Sequence, residues 1–404
     1  MLALSSLGAA VLAAAVAAGP AGGAFYTPPN PLPPGAHGDV IWARPYTTSA
    51  ALPSAAQNTL VLYHTTALNG TDRAVSGTVA IPKGTPPRGG WPVIGWAHGT
   101  TGDAPACTPS MDTPAGPVHD YLGPIDSVLD ALVAHGYAVV QTDYQGQGTP
   151  GVHPYLVGTA EARDTIDMVR AARIVAPQLS ARWVAMGHSQ GGHAVLFTTT
   201  TAASWAPELQ LLGGVAEAPA AFISPFIRSL TTNQKATPAF AFGALILQAA
   251  AASDPAVKLD QILTPAALAL LPQTLDRCSG ALYRPDSWGG IVPAAAFRSD
   301  AVLEPLLRFA ATNDAGALHP PVPLFIAQGS TDTTIPQTST DALDKALCAN
   351  GATVRYDVYQ GLGHRPIVPA ALNDALDWIG ARFAGRPAPS NCGAGPTLHA
   401  APPG

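Results

Sequence analysis

Charge is the scarcest property of this 404-residue chain: Asp, Glu, Lys and Arg make up 11% of it, well under the roughly 25% of an ordinary soluble protein. With 20 Lys and Arg against 26 Asp and Glu, the net charge is −6, and no basic run or basic-aromatic cluster occurs. A phosphate backbone would find nothing to bind, which excludes nucleic acid as a partner. Cysteine is scarce too. Cys107, Cys278, Cys348 and Cys392 are the only four, and none forms a CxxC pair, so a zinc knuckle is excluded. No HExxH or comparable ligand spacing supports a metal centre, and the Gly-rich "TDYQGQGTPGVHPYL" lacks the terminal Lys-Ser/Thr of a P-loop. No internal repeat is present, and no cofactor is called for.

What the chain does have is apolar residues, 47% of the total, and 40 Gly and 41 Pro spread in short punctuating groups, a pattern of many turns rather than disorder. The opening "MLALSSLGAAVLAAAVAAGPAGGAFYTPP" carries no charge before Asp39. It reads as a secretory signal peptide over residues 1–24, cut between Ala17 and Ala24, although Lys or Arg near Met1 is missing. A retained anchor is the competing reading, which would make the protein cell-envelope associated rather than extracellular. An even number of cysteines suits an oxidising compartment, and their spacing leaves all three pairings open.

Residues 60–66 and 74–81 mix β-branched, apolar and polar residues, as in an antiparallel opening of a sheet. Beyond "PKGTPPRGG", the runs "PVIGWAH", "YAVVQTDY", "RWVAMGHS", "LLGGVAEA" and "PVPLFIAQGS" are short and nearly continuously apolar, the signature of strands buried on both faces. Helical segments separate most of them. Ile125, Leu129, Leu132 and Val133 share one helical face, "TAEARDTIDMVRAARIV" places Thr159 at an N-cap, and Leu372, Leu376, Ile379 and Phe383 mark a final helix. The alternation predicts an α/β fold with a doubly wound, mostly parallel sheet. The interval 219–310 has helical stretches but no clear strand, and the sheet resumes after it. It is expected to be a helical cap, with core segments 25–218 and 311–385 on either side and an irregular tail over 386–404; a separate helical domain is the alternative.

Gly187-His188-Ser189-Gln190-Gly191 matches G-x-S-x-G between a predicted strand and a predicted helix, the context in which this motif presents a nucleophilic serine. A serine hydroxyl needs a base to take its proton. Only His319, His364 and His399 follow Ser189 and its adjoining helix. His364, after the strand-like "TVRYDVYQ" and the loop "GLGH", emerges at the sheet edge and is the predicted base. Asp332, the only carboxylate in the turn after "LFIAQG", is the predicted acid, which would hold the imidazole tautomer. Glu217, ending the preceding strand, is the rival. Developing charge on the substrate oxygen needs prepared donors. The backbone N–H of Gln190 is one, and the N–H or hydroxyl of Thr100, in "AHGTTGD", is the other. Asp103 is read as solvated. His98, His188 and His193 are read as packing or supporting histidines, and Asp143 and Tyr144 as lining the site floor or holding their loop.

With these residues in place, the chain resembles the secretory lipase family of α/β-hydrolases over most of residues 25 to 385. The likeness rests on "FYTPPNPLPPGAHGDVI", "WAHGTTG" with "ACTPS", "TDYQGQGTPGVHPYLVGTAEARDTIDMVRAAR", "GHSQGGHA", "QGSTDTTIP" and "GLGH". It implies an α/β-hydrolase fold and a secreted carboxylic-ester hydrolase of the triacylglycerol lipase kind, acting on acylglycerols or other lipophilic esters, at a lipid–water interface in some cases, with the cap supplying an acyl tunnel. It carries the nucleophile onto Ser189, the acid onto Asp332 and the base onto His364, and implies bridges Cys107–Cys278 and Cys348–Cys392. His and Gln flank the serine where the yeast members have Tyr and Gly. An acyltransferase or peptidase with the same triad, and a catalytically silent lipid-binding or cell-wall protein, are the alternatives.

Overall fold

The computed structural model describes residues 16–400. Residues 1–15 of the expected leader lie outside the described residues. Within the expected cleavage window, Ala17 and Gly19 exchange backbone hydrogen bonds with Ala43 at the sheet edge. Among the described residues no helix is long and apolar enough to cross a membrane.

Ten strands form one sheet: β1 (Val40–Pro45), β2 (Ala55–Thr66), β3 (Asp72–Pro82), β4 (Trp91–Ala97), β5 (Ala138–Thr142), β6 (Leu179–His188), β7 (Gln210–Glu217), β8 (Leu324–Gly329), β9 (Val354–Tyr359) and β10 (Thr397–His399). Their order is β1-β2-β3-β5-β4-β6-β7-β8-β9-β10. The pairs joining β1, β2, β3 and β5 are antiparallel and the rest are parallel. Successive strand side chains face opposite sides of the sheet. Val93, Trp183 and Ala185 therefore join the core beneath α2 (Gly158–Val175) and α3 (Gln190–Trp205), whereas Ile94, Val184 and Met186 join the core beneath α1 (His119–Ala134). Both faces being covered is why these strands read as unbroken apolar runs.

The interval after β7 is helical. It holds α4 (Ile223–Thr232), α5 (Phe240–Ser253), the short α6 (Leu259–Ile262), α7 (Pro265–Leu268), α8 (Gln273–Asp276), α9 (Ser279–Leu282) and α10 (Pro293–Ala296), then α11 (Glu304–Ala311). This segment carries its own apolar core, with Phe240, Leu245, Leu247, Trp288 and Leu306 fully buried. Helix α5, "FAFGALILQAAAAS", is apolar almost all round, which is the pattern of a helix enclosed on every side. Helices α12 (Gln337–Ala349) and α13 (Ile367–Phe383) complete the layers.

Two local expectations differ from the structure. Helix α2 begins at Gly158, with Val157 rather than Thr159 at the N-cap. The Asn313 side chain accepts the Gly158 N–H at 2.9 Å, and Glu161, within the helix, reaches back to the Leu156 N–H at 2.9 Å, so the first helical N–H is satisfied from far along the chain and no hydroxyl cap is needed. The tail is not irregular throughout, because Thr397–His399 adds β10 in parallel to β9. The Asn391 side chain brackets the Tyr356 backbone, accepting its N–H at 2.8 Å and donating to its carbonyl at 2.7 Å, and the Cys348–Cys392 bridge holds the same turn. That docking lays the short segment beside the sheet.

The other bridge, Cys107–Cys278, joins the loop after β4 to the helical insertion across 171 residues of sequence. In the chain-entropy description, closing such a loop contributes roughly 5 kcal/mol as an upper figure.

Candidate active site

The strands β6, β8 and β9 end at the same edge of the sheet, and each is followed by one of the predicted site residues. Ser189 lies between β6 and α3 with φ 60 and ψ −115. Such a conformation is uncommon for a non-glycine residue and persists only where the surroundings enforce it. Here the Ser189 N–H donates to the Glu217 carbonyl at 2.8 Å, and its own carbonyl accepts from His193 and Ala220. The flanking glycines follow from close backbone approach. A Cβ on Gly187 would lie 2.5 Å from the Gly191 carbonyl oxygen, and one on Gly191 would run into the Ala97 carbonyl.

His364 Nε2 stands 2.9 Å from Ser189 Oγ, and its Nδ1 stands 2.7 Å from Asp332 Oδ2. A carboxylate only accepts, so Nδ1 carries the proton and Nε2 is left to accept from the serine hydroxyl. Asp332 Oδ1 accepts the N–H groups of Thr334 and Ile335 at 2.8 and 2.9 Å. Burial would raise the Asp332 carboxyl, but the His364 bond and these backbone donors outweigh it and hold it below the usual carboxylate range. Glu217 is fully buried on β7, with both carboxylate oxygens lacking a hydrogen-bond partner among the described residues. Burial pushes its carboxyl well above the ordinary carboxylate range. His319 hydrogen-bonds the Ala317 carbonyl, and His399 pairs with Asp357 on β9; neither is joined to Ser189.

Gln190 is the first residue of α3, and the first N–H groups of a helix have no carbonyl partner within it. Its side chain donates to Glu161 at 2.7 Å and to His153 Nε2 at 2.8 Å, anchoring the helix start. Burial takes His153 down to about 3, which suits an acceptor. Thr100 and Ser189 line a common cleft. Thr100 Oγ1 bonds the Tyr155 hydroxyl at 2.8 Å, and the Thr101 carbonyl accepts the Ser279 N–H at 2.8 Å. The Thr101 contact and the Cys107–Cys278 bridge fasten the loop after β4 to the insertion, and the Thr100 contact ties it to the loop after β5. Asp103 is not solvated. It is buried, 4% exposed, next to the turn at Gly102, φ 111, its two oxygens lack partners among the described residues, and burial raises its carboxyl. Asp143 is buried and accepts from Ser76 and Ser110, while the Tyr144 hydroxyl donates to the His98 carbonyl at 3.1 Å. Both hold loops rather than reach the cleft.

Sequence reasoning missed a relay joining the loop after β4, helix α1, the end of β6 and the loop after β9. The Gly99 N–H donates to the Tyr121 hydroxyl at 2.9 Å, and that hydroxyl lies 2.9 Å from His188 Nδ1. The single phenolic proton therefore goes to Nδ1, so His188 Nε2 carries a hydrogen and donates it to the His364 carbonyl at 2.9 Å. Burial keeps His188 well below its usual range, consistent with a neutral ring. Nothing in the chain near Tyr121 signals this, because its partners lie 22 and 67 residues away. Tyr121→Phe leaves the Gly99 N–H and His188 Nδ1 unpartnered, and the expected cost is about 1–3 kcal/mol of stability. Denaturant unfolding with a midpoint equal to that of the parent would show that the relay contributes nothing.

Two cavities meet at Ser189. One, of about 150 Å³, is lined by apolar side chains including Leu156, Phe222, Ile223, Phe226 and Ile335. The other, of about 80 Å³, is lined by Thr100, Tyr121, His364, Arg365 and other polar groups together with Phe242, which lines both.

The Secretory lipase family profile matches residues 125–391. Lipase A of Moesziomyces aphidis is 29% identical over 198 residues, 47% of this chain and 41% of that protein, so the match spans less than half of the relative's length. A protein named probable inactive lipase in Mycobacterium tuberculosis (strain CDC 1551 / Oshkosh) is 24% identical over 390 residues, 90% of this chain and 82% of its own. The crystal structure of Candida antarctica lipase A superposes with a TM-score of 0.76 at 20% identity, covering 93% of this chain and 88% of that one, which shows a shared α/β-hydrolase fold. A family match running from α1 to the turn before β10, on that fold, makes this chain a member of the Secretory lipase family.

Proposed function

We propose that the protein is a secreted serine carboxylic-ester hydrolase acting on lipophilic esters, with Ser189 as nucleophile, His364 as base and Asp332 as acid. The observation that carries this reading is the unbroken hydrogen-bond chain from Asp332 through His364 to Ser189, at 2.7 and 2.9 Å, ending on a strained serine. Ser189 Oγ attacks the ester carbonyl as His364 Nε2 takes its proton. Asp332 accepts from Nδ1–H throughout and offsets the imidazolium charge. The carbonyl oxygen becomes negative facing the Gln190 N–H at the start of α3 and Thr100, where the helix dipole adds to the donors. His364 then protonates the departing alkoxide, and water repeats the sequence to release the acid.

The apolar cavity beside Ser189 supports a lipophilic acyl group, the 219–310 segment supplies half of its lining as a cap, and two disulfides favour an oxidising compartment. A catalytically silent lipid-binding protein is the second reading, raised by the relative named an inactive lipase. Hydrolysis of p-nitrophenyl butyrate with stoichiometric labelling of Ser189 by a fluorophosphonate supports the first. A folded protein that neither hydrolyses the ester nor takes the label is the silent one.

A further inference from the structure

We propose that the site accepts esters of short acyl groups, up to about six carbons, with small polar alcohols such as glycerol, and discriminates against long-chain acyl groups; this rests on the reading of Ser189 as nucleophile. The two cavities can be assigned by the chemistry of the proton. His364 must return its proton to the leaving oxygen, so the alcohol occupies the side that His364 lines, and the acyl group takes the other side. The acyl side is the apolar cavity of about 150 Å³. An apolar space of that volume holds about six carbon atoms, the size of a benzene molecule, and because this pocket is open on one side the rest of a longer chain would project from it. A palmitoyl chain would leave most of its methylenes outside, or would have to displace Phe222, Phe226 and Phe242 from their places in the wall. Contacts not made in the transition state contribute nothing to rate.

The alcohol side is smaller, about 80 Å³, and Thr100, Tyr121, Tyr283, Thr334 and His364 line it together with Phe242, the Tyr121 and Thr100 hydroxyls being already bonded to His188 and Tyr155. Arg365 adjoins it with its guanidinium 5.3 Å from the centre of the Tyr121 ring. Among the described residues no carboxylate forms an ion pair with Arg365, so its donors are free to meet oxygen atoms on the alcohol. An alkyl alcohol would strip water from the Arg365 guanidinium and return no hydrogen bonds.

The test uses the purified full chain with p-nitrophenyl acetate, butyrate, hexanoate, dodecanoate and palmitate in one detergent, holding the leaving group constant. kcat/KM is expected to peak at butyrate or hexanoate and to be lower for palmitate by about 100-fold or more. Phe226→Ala, which enlarges the acyl cavity, is expected to move the optimum toward dodecanoate. Glyceryl butyrate is expected to exceed octyl butyrate in kcat/KM by roughly tenfold. A parent optimum at dodecanoate or palmitate, or a preference for octyl butyrate, overturns the proposal while Ser189 still takes a fluorophosphonate label. No turnover of any ester and no label at Ser189 overturns the underlying reading and the proposal with it.

Discussion

Ser189→Ala is expected to lower ester turnover by on the order of 10⁵ to 10⁶ while the protein stays folded, because the covalent route disappears and the packing does not change. The side chain is 8% exposed and its hydroxyl makes one contact of consequence, to His364 Nε2. The elbow is held by backbone bonds from Ser189 to Glu217, His193 and Ala220, all of which an alanine keeps. Residual activity should come from the Gln190 and Thr100 donors and from binding alone. Steady-state hydrolysis of p-nitrophenyl butyrate, with circular dichroism to verify folding, measures the effect. Near-parental turnover in the alanine variant would remove the nucleophile, and with it the proposed function.

Asp332→Asn is expected to reduce turnover by about 10⁴ near neutral pH, since an amide can favour the wrong imidazole tautomer and cannot offset imidazolium charge. Glu217→Gln should change turnover by less than about tenfold, or roughly 1.4 kcal/mol of barrier, because no hydrogen bond ties Glu217 to His364. Glu217 has a separate signature in stability. Its carboxyl is raised by burial in the folded state, so between the ordinary value of about 4.3 and the raised one the unfolded chain releases a proton that the folded chain keeps. Stability is therefore lost as pH rises through that window. The Tm of Glu217→Gln relative to the parent should accordingly climb between pH 4 and pH 8. A dead Glu217→Gln beside an active Asp332→Asn would reverse the assignment of the acid.

Much of this was legible from residue order alone. Apolar runs spaced by 3.6-period segments predicted the layered sheet, since burial on both faces leaves no room for polar alternation. The serine motif, the histidine in "GLGH" and the aspartate after "LFIAQG" could be found because a strand end, a tight turn and a helix start each leave a local composition signature. The small strand β10 left none, as three residues after a glycine-rich stretch carry no periodicity. Thr159 was misplaced as a cap because Asn313, far along the chain, does that work for Gly158.

The sequence by itself determined the chemistry available: one serine in a turn that only glycine neighbours can flank, one histidine and one acidic turn following in the right order, and four cysteines without metal spacing. Tertiary structure alone decided the choice among like residues. Asp332 and Glu217 both end buried strands, yet only Asp332 is joined to His364, 32 residues away along the chain. Tyr121, His188 and Gly99 became one relay only when α1 packed beneath the ends of β4 and β6. The size of the acyl cavity was also decided there, because it depends on how Phe222, Phe226 and Phe242 of the insertion meet the loops at the sheet edge. Local composition records which groups a segment carries, whereas hydrogen-bond partners and cavity volumes are set by distances between segments that the chain order does not contain.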